Sequence, residues 1–469
     1  MPVCALLILL GALQVNHGGA HGFTRGRFSP APQAPPQAGA GTPIPPGQAT
    51  RPREGEALPN VHQPASPTAP EHYTLSPERR AKAIAYSRDQ YILYFVDFVL
   101  SISIYLLLWR TRTAAAFRDW ARKLARRHIA QCAIFVPVFA AAASLLRSPL
   151  DYYAGFALDH RFGLSTQSFA SWLGDWAKNL AVTAVLGTLV VWIFYLVVRR
   201  APRRWWFYFW LLTIPLALGF MLLEPFVIEP LFFKFTPLEK TRPALTARVE
   251  GMLDHAGLEV PHSRIFEMDA SAKTKTLNAY VSGVGASKRV VVWDNTLRMM
   301  SEDETLLVLG HEVGHYVLRH ILKEFALIEL LVLGLFYLGF VALNGVVERL
   351  GTRSAVESVG DLASFPIALS VLTALSFLIS PVVNGISRHF EHQADQFALE
   401  VTYGIVLDPN AAEARALQTL GEEDLADPDP HPFIEYWLYS HPPLDERIRF
   451  AAAYKPWTEG KPLELVRPR

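Results

Sequence analysis

The chain has 469 residues, 51% of them hydrophobic and 19% charged, with a formal net charge of +1. So near-neutral a balance gives no electrostatic footprint for a nucleic-acid partner, and two cysteines, Cys4 and Cys132, cannot frame a disulfide-rich domain. The surplus of apolar residues is gathered into blocks, which points to a chain that lives in a membrane.

The stretch "ALLILLGALQV" near the start is a short apolar run, followed by small residues ending at Ala20. It reads as a secretory signal or as a further span, although the basic start of a signal is missing. Residues 21–72 hold a dozen prolines and few large apolar side chains. A segment such as "SPAPQAPPQAGAGTPIPPG" cannot bury a core and reads as an extended, disordered linker.

Six apolar runs follow, at about 91–109, 129–146, 180–198, 205–223, 325–347 and 362–383. Each comes near or exceeds the roughly 18–20 residues that cross a bilayer core as a helix. The segment "RTRTAAAFRDWARKLARR" after the first run carries seven Arg and Lys, and "RRAPRR" after the third carries four. Basic residues in short loops mark the cytoplasmic side. Residues 224–324 and the tail from 384 are therefore expected on the non-cytoplasmic side. Asp97 and Glu329 fall inside runs, so each should face a wet cavity, pair internally or lie near an interface.

The chain thus divides into a first membrane block to residue 235, a polar block over 236–324, a transmembrane hairpin over 325–383 and a second polar block over 384–469. In the first polar block, "KTRPALTARVEGMLDHAGL" has helical spacing, and "SRIFEMD", "AYVSGV" and "KRVVVWD" look like three short strands. A helix should begin near Ser301, which can cap it, with the acids of "SEDE" favoured at its N-terminus.

That helix carries "LGHEVGHYVLRH", Leu309 to His320. His311 and His315 are four apart and share a helix face, so both imidazoles can reach one metal ion. Glu312 lies about 100° round the helix, within reach of a water but outside the ligand set, as in the HExxH motif of zinc proteases. Gly310 and Gly314 would let another backbone approach. On a continuous helix His320 points to the opposite face and makes a poor third ligand. In "SRHFEHQADQFALE", Glu391 and Asp395 are four apart. Glu391 is a sensible ligand and Asp395 a sensible hydrogen-bond acceptor for a ligand histidine. Taken singly, the first motif also fits a helix with chance histidines, and the second a solvated amphipathic helix.

"LGHEVGH" followed by "SRHFEHQADQFA" resembles the type I CAAX prenyl endopeptidase family, integral-membrane zinc metalloproteases of the gluzincin type. "EPLFFKFTPL", "LNAYVSGVGASKRVVVWDNTL" and "YSHPPLDERI" agree in order, and the likeness runs from about residue 72 to 455, as for a bacterial-type homologue. The resemblance implies a mainly α-helical polytopic fold: a ring of transmembrane helices enclosing a chamber, with a small α+β gluzincin catalytic domain. It implies one zinc ion per chain on His311, His315 and Glu391. Glu312 would be the general base, Asp395 the partner of a ligand histidine, and His441 and Arg447 the donors to the oxyanion. Asn278 and Ala279, on an exposed strand edge, would hold the substrate backbone by strand addition.

The partners expected are the bilayer and a peptide or protein substrate, lipidated or not. The proline-rich segment and the outward-facing loop charge depart from the family pattern, because prenylated proteins are made and lipidated in the cytosol. Exported or misfolded membrane proteins suit that side better. A channel or transporter with a regulatory domain, or a zinc-binding chaperone, is the competing function. Neither cysteine is placed as a nucleophile.

Overall fold

The computed structural model describes residues 69–283, 288–351 and 355–466. The signal-like start and nearly all of the proline-rich segment lie outside these described residues.

Six long apolar helices dominate: α1 (Pro77–Arg110), α3 (His128–Arg161), α4 (Phe169–Arg200), α5 (Trp205–Leu231), α8 (His320–Leu350) and α9 (Leu362–Thr402). Every apolar run read from the sequence lies within one of them. Local chemistry starts them. The Ser76 hydroxyl accepts from the Arg79 amide at the head of α1, with Pro77 in the first turn, and Ser168 caps α4 on Ser171. The short amphipathic helix α2 (Thr113–Leu124) joins α1 to α3.

The six helices pack in a closed cycle, α1 on α3, α3 on α4, α4 on α5, α5 on α8, α8 on α9 and α9 back on α1. By the number of crossings, the loop residues 111–127, 201–204 and 355–361 share one face. Arg118 pairs there with Asp361, Arg122 with Glu357 at 2.7 Å, and Arg199 donates to the Gly360 carbonyl at 2.8 Å. Of the acids at membrane depth, Asp97 meets Arg147, which also holds Asp151 at 2.8 Å, the internal pairing that a charge in an apolar layer requires. Glu329 is buried and faces the Thr213 hydroxyl, at 3.4 Å.

The opposite face carries the polar domain. Its sheet has four strands, β1 (Phe235–Pro237), β2 (Ile265–Met268), β3 (Ala279–Ser282) and β4 (Arg289–Trp293), in the order β1-β2-β4-β3. Strand β4 is central and wholly buried, so it reads as a continuous apolar run without alternation. β2 pairs with it in parallel and β3 antiparallel. The three strands expected from sequence are β2, β3 and β4; β1 was missed, being three residues long and ending on a proline.

Helices α6 (Pro243–His255) and α7 (Glu302–Val317) flank the sheet. Ser301 and Glu304 form a reciprocal capping box at the head of α7. The buried face of α7, Leu306, Leu307, Leu309 and Val313, enters a core shared with Phe397, Ala398 and Val401 of α9. Each such side chain contributes about 1.5–3 kcal/mol.

Two junctions fasten this domain to the ring. Glu229, at the end of α5, meets Arg289 and accepts from the Tyr280 hydroxyl at 2.8 Å, which ties β3 and β4 to the membrane block. Lys273, 1% exposed, donates to the Phe232 carbonyl at 2.9 Å and lies 3.6 Å from Asp175 of α4. Ahead of α1, the Tyr73 amide donates to Asp445 and Thr74 pairs with Gln418. The chain's lead-in therefore sits on the catalytic face, against α10 (Pro409–Glu423) and α12 (Leu444–Ala453).

Candidate active site

His311, Glu312 and His315 project from α7, and Glu391 and Asp395 from α9. The two helices cross closely because α7 has no side chain at two positions. A Cβ on Gly310 would lie 3.2 Å from Val401 and 3.3 Å from the Ala398 backbone, and one on Gly314 would lie 3.1 Å from Phe397. Helix α9 does not stop at the membrane boundary near residue 383, where the sequence reading ended its span. It runs unbroken through Glu391 and Asp395 to Thr402.

Donor atoms of three side chains converge, all within 4.8 Å of one another. Nε2 of His311 is 3.1 Å from Nε2 of His315 and 3.1 Å from Oε2 of Glu391, and Nε2 of His315 is 3.5 Å from Oε1 of Glu391. A tetrahedral metal with bonds of about 2.0–2.1 Å holds its ligand atoms about 3.3 Å apart. The three separations match those edges. Among the described residues, the buried Glu391 Oε2 has no hydrogen bond of good geometry. Imidazole nitrogens that face each other beside a carboxylate are bridged by a proton or by a metal cation. The cluster fits a divalent metal.

The surroundings orient these ligands. Nδ1–H of His311 donates to Asp395 at 2.8 Å. Asp395 is gripped in turn by Arg447, with Nε at 2.9 Å and Nη2 at 2.6 Å. Burial works against a charged His311, but the Asp395 and Glu391 carboxylates outweigh it and hold the group up at about 10. That proton marks the positive charge the carboxylates call for, which a metal ion would replace. Burial would lower the Arg447 guanidinium, yet Asp395 holds it above its ordinary value. Behind the pair, burial pushes the Glu413 carboxyl up to about 7, helped by the Asp395 charge. Burial also raises Glu312, with the two histidines pulling the other way.

His441 reaches the cluster from the loop before α12, with Nε2 3.1 Å from Glu391 Oε2 and Nδ1 2.9 Å from the Ser440 hydroxyl. Burial drives its pKa down to about 4, so the ring is neutral near pH 7. A ring that accepts the Ser440 hydroxyl at Nδ1 would carry its proton on Nε2, towards the site. The short helix α11 (Pro432–Leu438) delivers this loop. Its last carbonyls are held from α9: Arg388 donates to Glu435 and Tyr439, and Asn384 to Trp437 at 2.6 Å.

Arg447, read as an oxyanion donor, places Nε and Nη2 on Asp395 behind the ligand histidine, with Nη1 outside that pair. One expectation needs revision. Asn278 and Ala279, read as an exposed strand edge, are 8% and 1% exposed. The Ala279 amide is taken by Asn278 Oδ1 at 2.8 Å, and the Asn278 backbone is held by Thr296. Two residues escaped the sequence reading. One is Arg388, which had no distinguishing signal. The other is His320, placed on the wrong face by a continuous helical wheel. Arg319 adopts φ 58°, which breaks the helix and swings His320 back beside His315.

Residues 239–455 match Peptidase family M48, and residues 58–234 match the CAAX prenyl protease N-terminal, five membrane helices. A relative from Bacillus subtilis, "Uncharacterized metalloprotease YhfN", is 32% identical over 377 residues, covering 80% of this chain and 86% of that protein. The chain belongs to the CAAX prenyl protease family of M48 metallopeptidases. "CAAX prenyl protease 1" of Saccharomyces cerevisiae is 30% identical, covering 68% of this chain and 72% of that one. The crystal structure of S. mikatae Ste24p superposes with a TM-score of 0.70 at 26% identity, over 81% of this chain and 90% of that one. As an M48 member the chain is a multi-pass membrane metalloprotease that acts on peptide or protein substrates. Its helix ring encloses a chamber, with the metal-site domain at one end.

Proposed function

We propose that this M48 protease is a zinc endopeptidase, with His311, His315 and Glu391 as the zinc ligands and Glu312 as the general base. The observation that carries the reading is the convergence of His311, His315 and Glu391: their Nε2 atoms are 3.1 Å apart, and the two Glu391 oxygens lie 3.1 and 3.5 Å from them, separations that suit bonds of zinc length. Two imidazoles and one carboxylate are also the donor set of known catalytic zinc sites.

When bound, zinc supplies Lewis-acid chemistry, lowering the pKa of a water from about 15.7 toward about 7. The chain's own groups do the rest. Glu312 accepts a proton from the attacking water and delivers it to the leaving amine nitrogen. His441, neutral and protonated on Nε2, donates to the carbonyl oxygen as it gains charge. Arg447 acts at one remove, by holding Asp395 on His311. The backbone of Val281, which points away from β4, would dock the substrate as an added strand, while Asn278 and Ala279 shape the strand's start. No covalent intermediate is needed.

Zinc analysis of the purified protein tests this directly. One zinc per chain is expected; a chelator should remove it together with cleavage and lower the unfolding temperature, and zinc should restore both. A chain that cleaves with full rate after complete stripping would refute the reading.

The substrate side follows from charge. The seven Arg and Lys of residues 110–127 and the four of 199–204 lie on the face opposite the active site. The loop at 162–168 on the active-site face has none. The positive-inside rule supports an active site outside the cytoplasm, and hence exported or membrane proteins as substrates. A membrane-impermeant maleimide should label Lys461→Cys on intact cells and Lys123→Cys only after lysis. The reverse pattern would restore a cytosolic, prenyl-protein reading.

A further inference from the structure

His320 is wholly buried at the head of α8, stacked on Phe390 with ring centroids 4.6 Å apart. Its Nδ1 lies 3.3 Å from Nδ1 of His315, and its Nε2 lies 2.9 Å from Oε1 of Gln393. With a metal on His315 Nε2, these two contacts leave a single self-consistent arrangement of protons. His315 turns Nε2 towards the ligand cluster, so its own proton sits on Nδ1 and is donated to His320 Nδ1. His320 Nδ1 is then an acceptor, so His320 carries its proton on Nε2 and donates it to the Gln393 carbonyl. The Gln393 amide nitrogen in turn faces His389 Nε2 at 3.4 Å.

We propose that His320 is a positioning residue for metal binding: it fixes the tautomer and the ring angle of His315, as Asp395 does for His311. The proposal rests on the zinc reading of the site. The two ligand histidines are then held by different means, one by a carboxylate and one by a neutral imidazole chain ending on an amide. A neutral acceptor fits the second position. With Glu391 facing the same pocket, a further carboxylate there would add negative charge to a site that already holds one ligand carboxylate. The break at Arg319 acquires a purpose, because only a helix interrupted between His315 and His320 brings residues five apart into ring-to-ring contact.

The expected behaviour is read from zinc affinity by competition with a coloured chelator, on full-length protein in detergent. His320→Leu fills the space but offers no acceptor, and should weaken zinc binding about 10–100-fold, the usual cost of losing such a partner. His320→Asn places its amide oxygen where Nδ1 stands and should recover most of that loss. Gln393→Leu keeps His320 but removes the acceptor that sets its tautomer, and should fall between the two. Zinc affinity in His320→Leu equal to wild type, or His320→Asn as weak as His320→Leu, would overturn the proposal. Gln393→Leu decides the matter if His320→Leu does not fold, since unchanged affinity there overturns it too. Failure of the zinc reading itself looks different: the wild type would then bind no zinc more tightly than His311→Ala.

Discussion

Replacing Glu312 by glutamine stops cleavage while leaving fold and metal in place. Glutamine keeps the shape of the side chain but cannot take a proton from water or return one to the leaving amine. General base and acid steps contribute about 10²–10⁴-fold each, so kcat should fall by at least about 10³ with KM little changed. That pattern identifies a group acting in the transition state rather than in binding. The measurement is turnover of a quenched-fluorescence peptide by protein in liposomes, with zinc counted on the same sample. Wild-type turnover in the variant would remove Glu312 from the chemistry.

The largest effect on stability is expected at Arg447→Met. Arg447 is 5% exposed and pairs with Asp395 through two nitrogens, so its loss strands a buried carboxylate. Glu413 lies close enough that its carboxyl is already raised to about 7, and without Arg447 it rises further. Breaking one side of such a pair costs about 3–5 kcal/mol. Asp395→Asn in the same chain should recover part of this, because the uncompensated charge is gone. Unfolding in detergent, compared across the two single variants and the double, gives the coupling directly. Strict additivity would show that the two groups act independently.

What was legible in the sequence was what short-range patterning encodes. The six spans follow from run length, β2, β3 and β4 from their apolar character, and the start of α7 from Ser301 and Glu304. Gly310 and Gly314 announced a close helix approach before α9 was known to supply it. What was not legible depended on where the chain bends or ends. The polar residues after 383 looked like the start of a new unit. A change of solvent at the membrane edge does not interrupt backbone hydrogen bonding, so α9 continues. The break at Arg319 carries no glycine or proline, and without it the helical wheel puts His320 on the wrong side. Arg447 reads as a donor from its motif, but its commitment to Asp395 is a tertiary fact. Asn278 was expected to present an edge that its own side chain closes.

The unbroken helix α9 acts as a measuring rod. From Phe365 to Glu391 it advances 26 residues, about 39 Å at roughly 1.5 Å per residue, against about 30 Å of hydrocarbon. With Phe365 at or beyond the far edge of the hydrocarbon, the ligand carboxylate stands no more than about 9 Å above the acyl chains, and less where Pro381 bends the helix. A metal held there would lie within about a headgroup's depth of the bilayer.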